Sequence, residues 1–148
     1  MRFLPPARLL LLLLTFIAIG AGSAYAAGTT PTYNYIGAAT LEARLKAGEA
    51  IHLLDIQVEE EYAKHHIKGA TPTHAYPVKS EADRGKLSAA IAQINADSAP
   101  VVIVCPRGAG SATRTYDYLL TQGIAAARLL ILEKGQEGWS CAPLTEGK

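Results

Sequence analysis

Between residues 40 and 140, short apolar runs alternate with stretches whose apolar residues recur every third or fourth position. The first pattern is that of buried strands and the second that of amphipathic helices. Thr40 to Gly48 predicts a short helix, with Thr40 as N-cap and Gly48 as its stop. Ile51 to Ile56 predicts a buried strand that ends at an acidic cluster. Glu59 to Lys64 predicts one or two helical turns, broken off by Gly69 and Pro72. A short strand is expected over Thr73 to Tyr76. Leu87, Ala90, Ile91 and Ile94 fall on one face of a helix expected from Glu81 to Asn95.

The most β-like segment is Val101–Val104, four β-branched residues in a row, which suits a central parallel strand covered on both faces. A Gly/Pro-rich loop, Cys105 to Gly110, follows it. Ser111 to Gln122 then predicts a helix with Tyr116, Leu119 and Leu120 on its apolar side and Gly123 as its end. Leu129 to Leu132 predicts a second buried strand, and Gly135 to Trp139 a turn or short helix. Alternating strands and helices imply an α/β fold, a small parallel sheet flanked by helices with right-handed crossovers.

The first 26 residues follow different rules. Arg2 and Arg8 precede a largely apolar run from Leu9 to Ile19, and Ala24-Tyr25-Ala26 offers a small-x-small cleavage site. This is the layout of a secretory signal peptide. The run is short for a membrane-spanning helix, which needs about 20 apolar residues; an uncleaved anchor is the rival reading. The expected organisation is a signal peptide over 1–26, a flexible leader over 27–35, one domain over 36–141 and a C-terminal tail over 142–148. The expected location is periplasmic or secreted.

Composition sharpens this picture once the leader is set aside. The whole chain has 148 residues, 49% of them hydrophobic, with 14 Lys+Arg against 13 Asp+Glu. The segment after Ala26 loses two arginines and no acid, so it carries one more acid than base. Its apolar content is about 45%, ordinary for one globular core. Such a balance gives no field to gather nucleic acid. The two cysteines are too few for a disulfide scaffold or a four-thiolate zinc site. His52, His65, His66 and His74 lack the i, i+4 spacing of a helical metal site, so neither metal nor cofactor is expected.

The candidate chemistry lies in the loop after Val104. Cys105 stands where a central parallel strand ends, the edge at which open α/β sheets bind ligands. Gly108 and Gly110 let the backbone of Pro106, Arg107, Gly108, Ala109, Gly110 and Ser111 curl its amides inward as an anion nest. Ser111 opens a helix whose N-terminus also favours negative charge, and Arg107 adds a cation. These features suit a nucleophilic Cys105 thiolate.

Two blocks of this sequence resemble the rhodanese-like, or sulfurtransferase, family. Leu53 to Ala70 is similar to the signature D-x-R-x-x-x-E-F/Y-x-x-G-H-I-x-G-A. The Cys105 loop with its helix, followed by Leu132 to Trp139, is similar to the family's cysteine loop and its terminal L-x-G-G-x-x-x-W. The resemblance spans about residues 36–140. It implies a parallel sheet of about five strands and a cysteine that accepts sulfane sulfur from a small donor such as thiosulfate. That sulfur would pass from the persulfide to a thiol or to cyanide while loop amides cradle it. The implied partners are therefore small molecules, with no nucleic acid and no stable membrane span once the signal is removed.

Three positions depart from the pattern: Gln57 replaces an Arg, His65 a Gly, and Gly110 the Arg common in the cysteine loop. Arg107 is the candidate to supply the displaced charge. Asp55 either orients the loop or, more in keeping with Asp at turns, caps the end of its strand. His66 is expected to make a structural hydrogen bond. Cys141 is a possible resolving thiol or disulfide partner for Cys105, or else a free thiol. Phosphatase or arsenate reductase chemistry requires Arg six residues after the cysteine, where Ser111 stands. The alternatives to sulfur transfer are a non-catalytic binding module and a thiol–disulfide protein using Cys105 and Cys141.

Overall fold

The computed structural model describes residues 32–148. Five strands form one parallel sheet: β1 (Tyr35–Ile36), β2 (His52–Asp55), β4 (Thr71–Pro72), β5 (Val101–Val104) and β6 (Leu129–Leu132), in the order β1-β6-β5-β2-β4. β5 is central, as its run of branched residues predicts, and all four of its residues are buried. Its side chains alternate between two apolar layers. Val101 and Ile103 pack in one layer with Ile91, Tyr116 and Leu119; Val102 and Val104 pack in the other with Leu41, Leu132 and Trp139. Covering both faces of the strand excludes water from the ladder and sets its register against β2 and β6.

The helices supply these layers. α4 (Ser88–Ile94) and α5 (Gly110–Thr121) cover the first face through Ala90, Ile91, Ile94, Ala112, Tyr116 and Leu119. α1 (Ala38–Lys46) and α2 (Glu59–Lys64) border the second through Leu41, Leu45 and Tyr62. A fifth helix, α3 (Glu81–Gly85), precedes α4.

Four expectations are corrected. The helix expected over Glu81–Asn95 is two helices. Gly85 ends the first, and the fully buried Leu87 turns into the core before Ser88 begins the second. α1 begins at Ala38, so Thr40 lies inside it and makes no cap; the carbonyl of Gly37 accepts the first helical bond from Leu41. The strand expected at Thr73–Tyr76 falls earlier, at Thr71–Pro72. Pro72 has no N–H to donate, which is tolerated because β4 is an edge strand. His74, at φ +53°, bends the chain after it.

The fourth correction concerns the ends of the domain. The expected leader extends to residue 35, yet Tyr33 packs edge-on against Tyr116 and Asn34 donates to the Tyr116 hydroxyl and to the Ala126 carbonyl. The Asn34 carbonyl accepts from Ile131, and β1 follows at once. The tail also has a partner: β7 (Thr145–Glu146) pairs antiparallel with β3 (His66–Ile67), and Trp139 donates to the Thr145 hydroxyl. The signal peptide over 1–26 and leader residues 27–31 lie outside the described residues. Among the described residues no helix is long and apolar enough to cross a membrane.

Candidate active site

Cys105 immediately follows β5 and is 1% exposed. The chain then reverses so that the N–H of Gly108 donates to Sγ of Cys105 at 2.9 Å. Gly108 makes this turn at φ +68°, a conformation that costs an L side chain energy. The amides of Ala112 and Thr113 return to the Ala109 carbonyl and close the start of α5. Ser111 is buried, and its carbonyl accepts from the Thr115 hydroxyl.

The loop is held from outside by the turn after β6. The Cys105 carbonyl accepts from the Gln136 amide at 2.8 Å, and the Pro106 carbonyl from the Glu137 amide at 3.0 Å. Gly135, at φ +57°, permits this contact: a Cβ there would lie 2.1 Å from the Cys105 oxygen. Gln136 was not singled out by the sequence pattern, although it lies in the Leu132–Trp139 block. Its side chain is buried, with Nε2 donating to Nδ1 of His65 at 2.7 Å while Oε1 meets no protein donor among the described residues.

Asp55 terminates β2 beside Val104, the residue before Cys105. Its carboxylate accepts from the Gln57 backbone at 2.8 Å and from the Gln57 side chain at 3.0 Å, an Asx turn that caps the strand. Burial raises its pKa to about 6, against the opposing effect of the Gln57 hydrogen bonds. Gln57 also donates to the His65 carbonyl. The two departures from the first signature block, Gln57 and His65, thus join in one hydrogen-bonded network that leads from Asp55 to Gln136, whose amide holds the Cys105 carbonyl.

The other sequence candidates fall elsewhere. His66 is structural: it stacks on Tyr62 with ring centroids 3.8 Å apart, and its Nδ1 lies 2.7 Å from the Tyr62 carbonyl. Cys141 is a free thiol buried beside Leu41 and Trp139, in the layer opposite the one that holds Cys105. Burial and the neighbouring Glu42 raise its pKa. The structure therefore does not bring the two cysteines together, contrary to the pairing considered from sequence.

Arg107 does not fill the place of the missing loop arginine. Its exposed side chain pairs with Glu137 at 3.2 Å. Arg114 comes closer: a Cβ on Gly110 would lie 3.1 Å from its Nη1. Positions four apart share one helix face, and helical side chains lean toward the N-terminus, which carries Arg114 back over the loop. A cavity of about 240 Å³ opens there, lined by the loop residues Pro106, Arg107, Ala109, Gly110 and Ser111 and by Tyr76, Lys79 and Arg114.

A nucleophile-type residue at the end of a central parallel strand, under a glycine-shaped loop that leads into a helix, defines an α/β protein with a cysteine-loop site. Comparison with family models gives the class its name: the rhodanese-like domain model matches residues 37–142, and the chain belongs to that family. Curated protein sequences return no match. Among solved structures, a yeast protein tyrosine phosphatase of the rhodanese family aligns with TM-score 0.64 at 16% identity, covering 80% of this chain and 95% of its own. A rhodanese-like domain from Anabaena sp. aligns with TM-score 0.58 at 21% identity, over 79% of this chain and 81% of its own. Thiosulfate sulfurtransferase from Pseudomonas aeruginosa aligns with TM-score 0.55 at 20% identity, over 79% of this chain and 20% of its own. At these identities the likeness is one of fold.

Proposed function

We propose that this protein is an extracytoplasmic sulfurtransferase or sulfur carrier that holds a persulfide on Cys105. The observation that carries the reading is the Gly108 N–H aimed at the Cys105 sulfur in a loop braced at Cys105 and Pro106. A fixed donor at the reacting atom stabilises charge as it develops there, without reorganisation. The Cys105 thiolate attacks the sulfane sulfur of a donor such as thiosulfate. The S–S bond of the donor breaks and sulfite leaves with its electron pair. A thiolate or cyanide then attacks the terminal sulfur, and breaking the persulfide S–S bond returns the Cys105 thiolate.

The exported location rests on the signal-peptide layout of residues 1–26. The likeness to the Pseudomonas enzyme supports sulfur transfer at the level of fold. Phosphoryl transfer, the activity in the name of the yeast neighbour, has less support here, because Ser111 stands six residues after Cys105. Thiol–disulfide exchange between the cysteines has less support too, since they occupy opposite layers.

The test is turnover: thiocyanate formed from cyanide and thiosulfate, or sulfide released by a thiol acceptor. Formation by the wild type and its loss in Cys105→Ser is the expected result. Equal rates in the two proteins overturn the reading.

A further inference from the structure

We propose that Arg114 and Lys79, and not Arg107, read the anionic end of the sulfur donor; the proposal rests on the sulfur-transfer reading above. Three observations carry it. Gly110 leaves open the space that a side chain would fill, and Nη1 of Arg114 borders that space. Nε and Nη2 of Arg114 both donate to the Pro77 carbonyl, at 3.1 and 2.8 Å. This anchor uses one edge of the planar guanidinium and leaves Nη1 beside the cavity over the Cys105 loop. Arg107 also borders the cavity, but its exposed side chain turns to pair with Glu137.

The segment opposite is built to face the same cavity. Val78 is fully buried at φ +59°, a left-handed conformation that a β-branched residue rarely adopts. Such strain persists only where the surroundings fix it. Here it lies between Pro77, whose carbonyl anchors Arg114, and Lys79, which lines the cavity with Tyr76. None of the cavity's lining residues is acidic. Lys79 and Arg114, with Arg107 paired to Glu137 at the same cavity and Tyr76 and Ser111 in its lining, surround about 240 Å³ and suit a compact donor that carries an oxyanion next to its sulfane sulfur, a thiosulfate- or thiosulfonate-type molecule. The selecting charge has moved from the loop to the first turns of α5, and Gly110 makes room for it.

The test compares alkylation of Cys105 by iodoacetate and by neutral iodoacetamide, read by peptide mass so that Cys141 is scored separately. The ratio of the two rates measures anion selection without sulfur transfer. Arg114→Gln is expected to lower the ratio about tenfold and Lys79→Gln about threefold, with Arg107→Gln within about twofold of wild type. An unchanged ratio in Arg114→Gln, or an equal fall in Arg107→Gln, overturns the proposal. Circular dichroism checks folding. If Arg114→Gln does not fold, the exposed Lys79 decides, and an unchanged ratio in Lys79→Gln overturns the proposal. A wild type that takes no sulfur from thiosulfate yet keeps an Arg114-dependent ratio overturns the reaction and upholds the anion site. Sulfur loading with a ratio indifferent to Arg114 does the reverse.

Discussion

Gly108 and Gly135 meet backbone to backbone: a Cβ on Gly108 would lie 3.0 Å from the Gly135 nitrogen, and one on Gly135 would lie 2.6 Å from the Gly108 nitrogen. Both have positive φ. This contact joins the cysteine loop to the turn after β6 and fixes the amide that faces the Cys105 sulfur. Gly135→Ala would also place a methyl 2.1 Å from the Cys105 carbonyl oxygen. It should cost at least about 3 kcal/mol by urea unfolding and remove sulfur loading. Gly108→Ala, whose nearest contact is 2.7 Å, should cost less.

Asp55 should give the protein an acid-side stability that fades with rising pH. Its pKa is about 6 in the folded state and 3.8 as a free side chain. The folded protein therefore holds a proton that the unfolded chain releases between these values. The contribution is full below about pH 4 and gone above about pH 6, and spans about 3 kcal/mol. Glu42, Glu49, Asp83 and Asp97 have lowered pKa values and act in the opposite sense. The measurement is thus the difference in unfolding free energy between wild type and Asp55→Asn across pH 4–7. That difference should shift against wild type as pH rises; a flat difference contradicts the assignment.

Cys141 should be dispensable for chemistry. Cys141→Ser is expected to load sulfur as wild type does and to lose no more than about 1 kcal/mol, because the hydroxyl keeps Glu42 as a hydrogen-bond acceptor. The air-oxidised protein should keep the mass of two free thiols. A mass lighter by two hydrogens, lost in either cysteine variant, would show that the pair does close.

Ser80 and Asp83 form a reciprocal capping box at the start of α3, each side chain accepting from the other's backbone. Ser80→Ala should cost about 1 kcal/mol in thermal or urea unfolding. Ala is expected to leave sulfur loading intact, because the cap lies outside the cysteine loop.

The centre of the sheet was legible where one physical signal dominated. Val101–Val104 has no polar residue, so only a strand covered on both faces accommodates it. The acidic start and basic end of Glu59–Lys64 mark its helix at both termini. Helix breaks were less legible: the apolar spacing from Leu87 to Ile94 runs on without showing that Leu87 turns inward. At the site, the glycines and Cys105 announced the loop, but Arg114 did not announce its role. Counted along the chain it stands past the loop, whereas the i, i+4 geometry of a helix returns its side chain to Gly110. Gln136 was hidden for a different reason: its contact with His65 spans 71 positions and leaves no local pattern.

The most direct test of the central claim is the intact mass of the protein after incubation with thiosulfate or polysulfide and removal of excess donor. The account predicts a gain of about 32 Da, one sulfur atom, on wild type and on Cys141→Ser, and none on Cys105→Ser. No gain on wild type with any sulfane donor, or the same gain on Cys105→Ser, would contradict it.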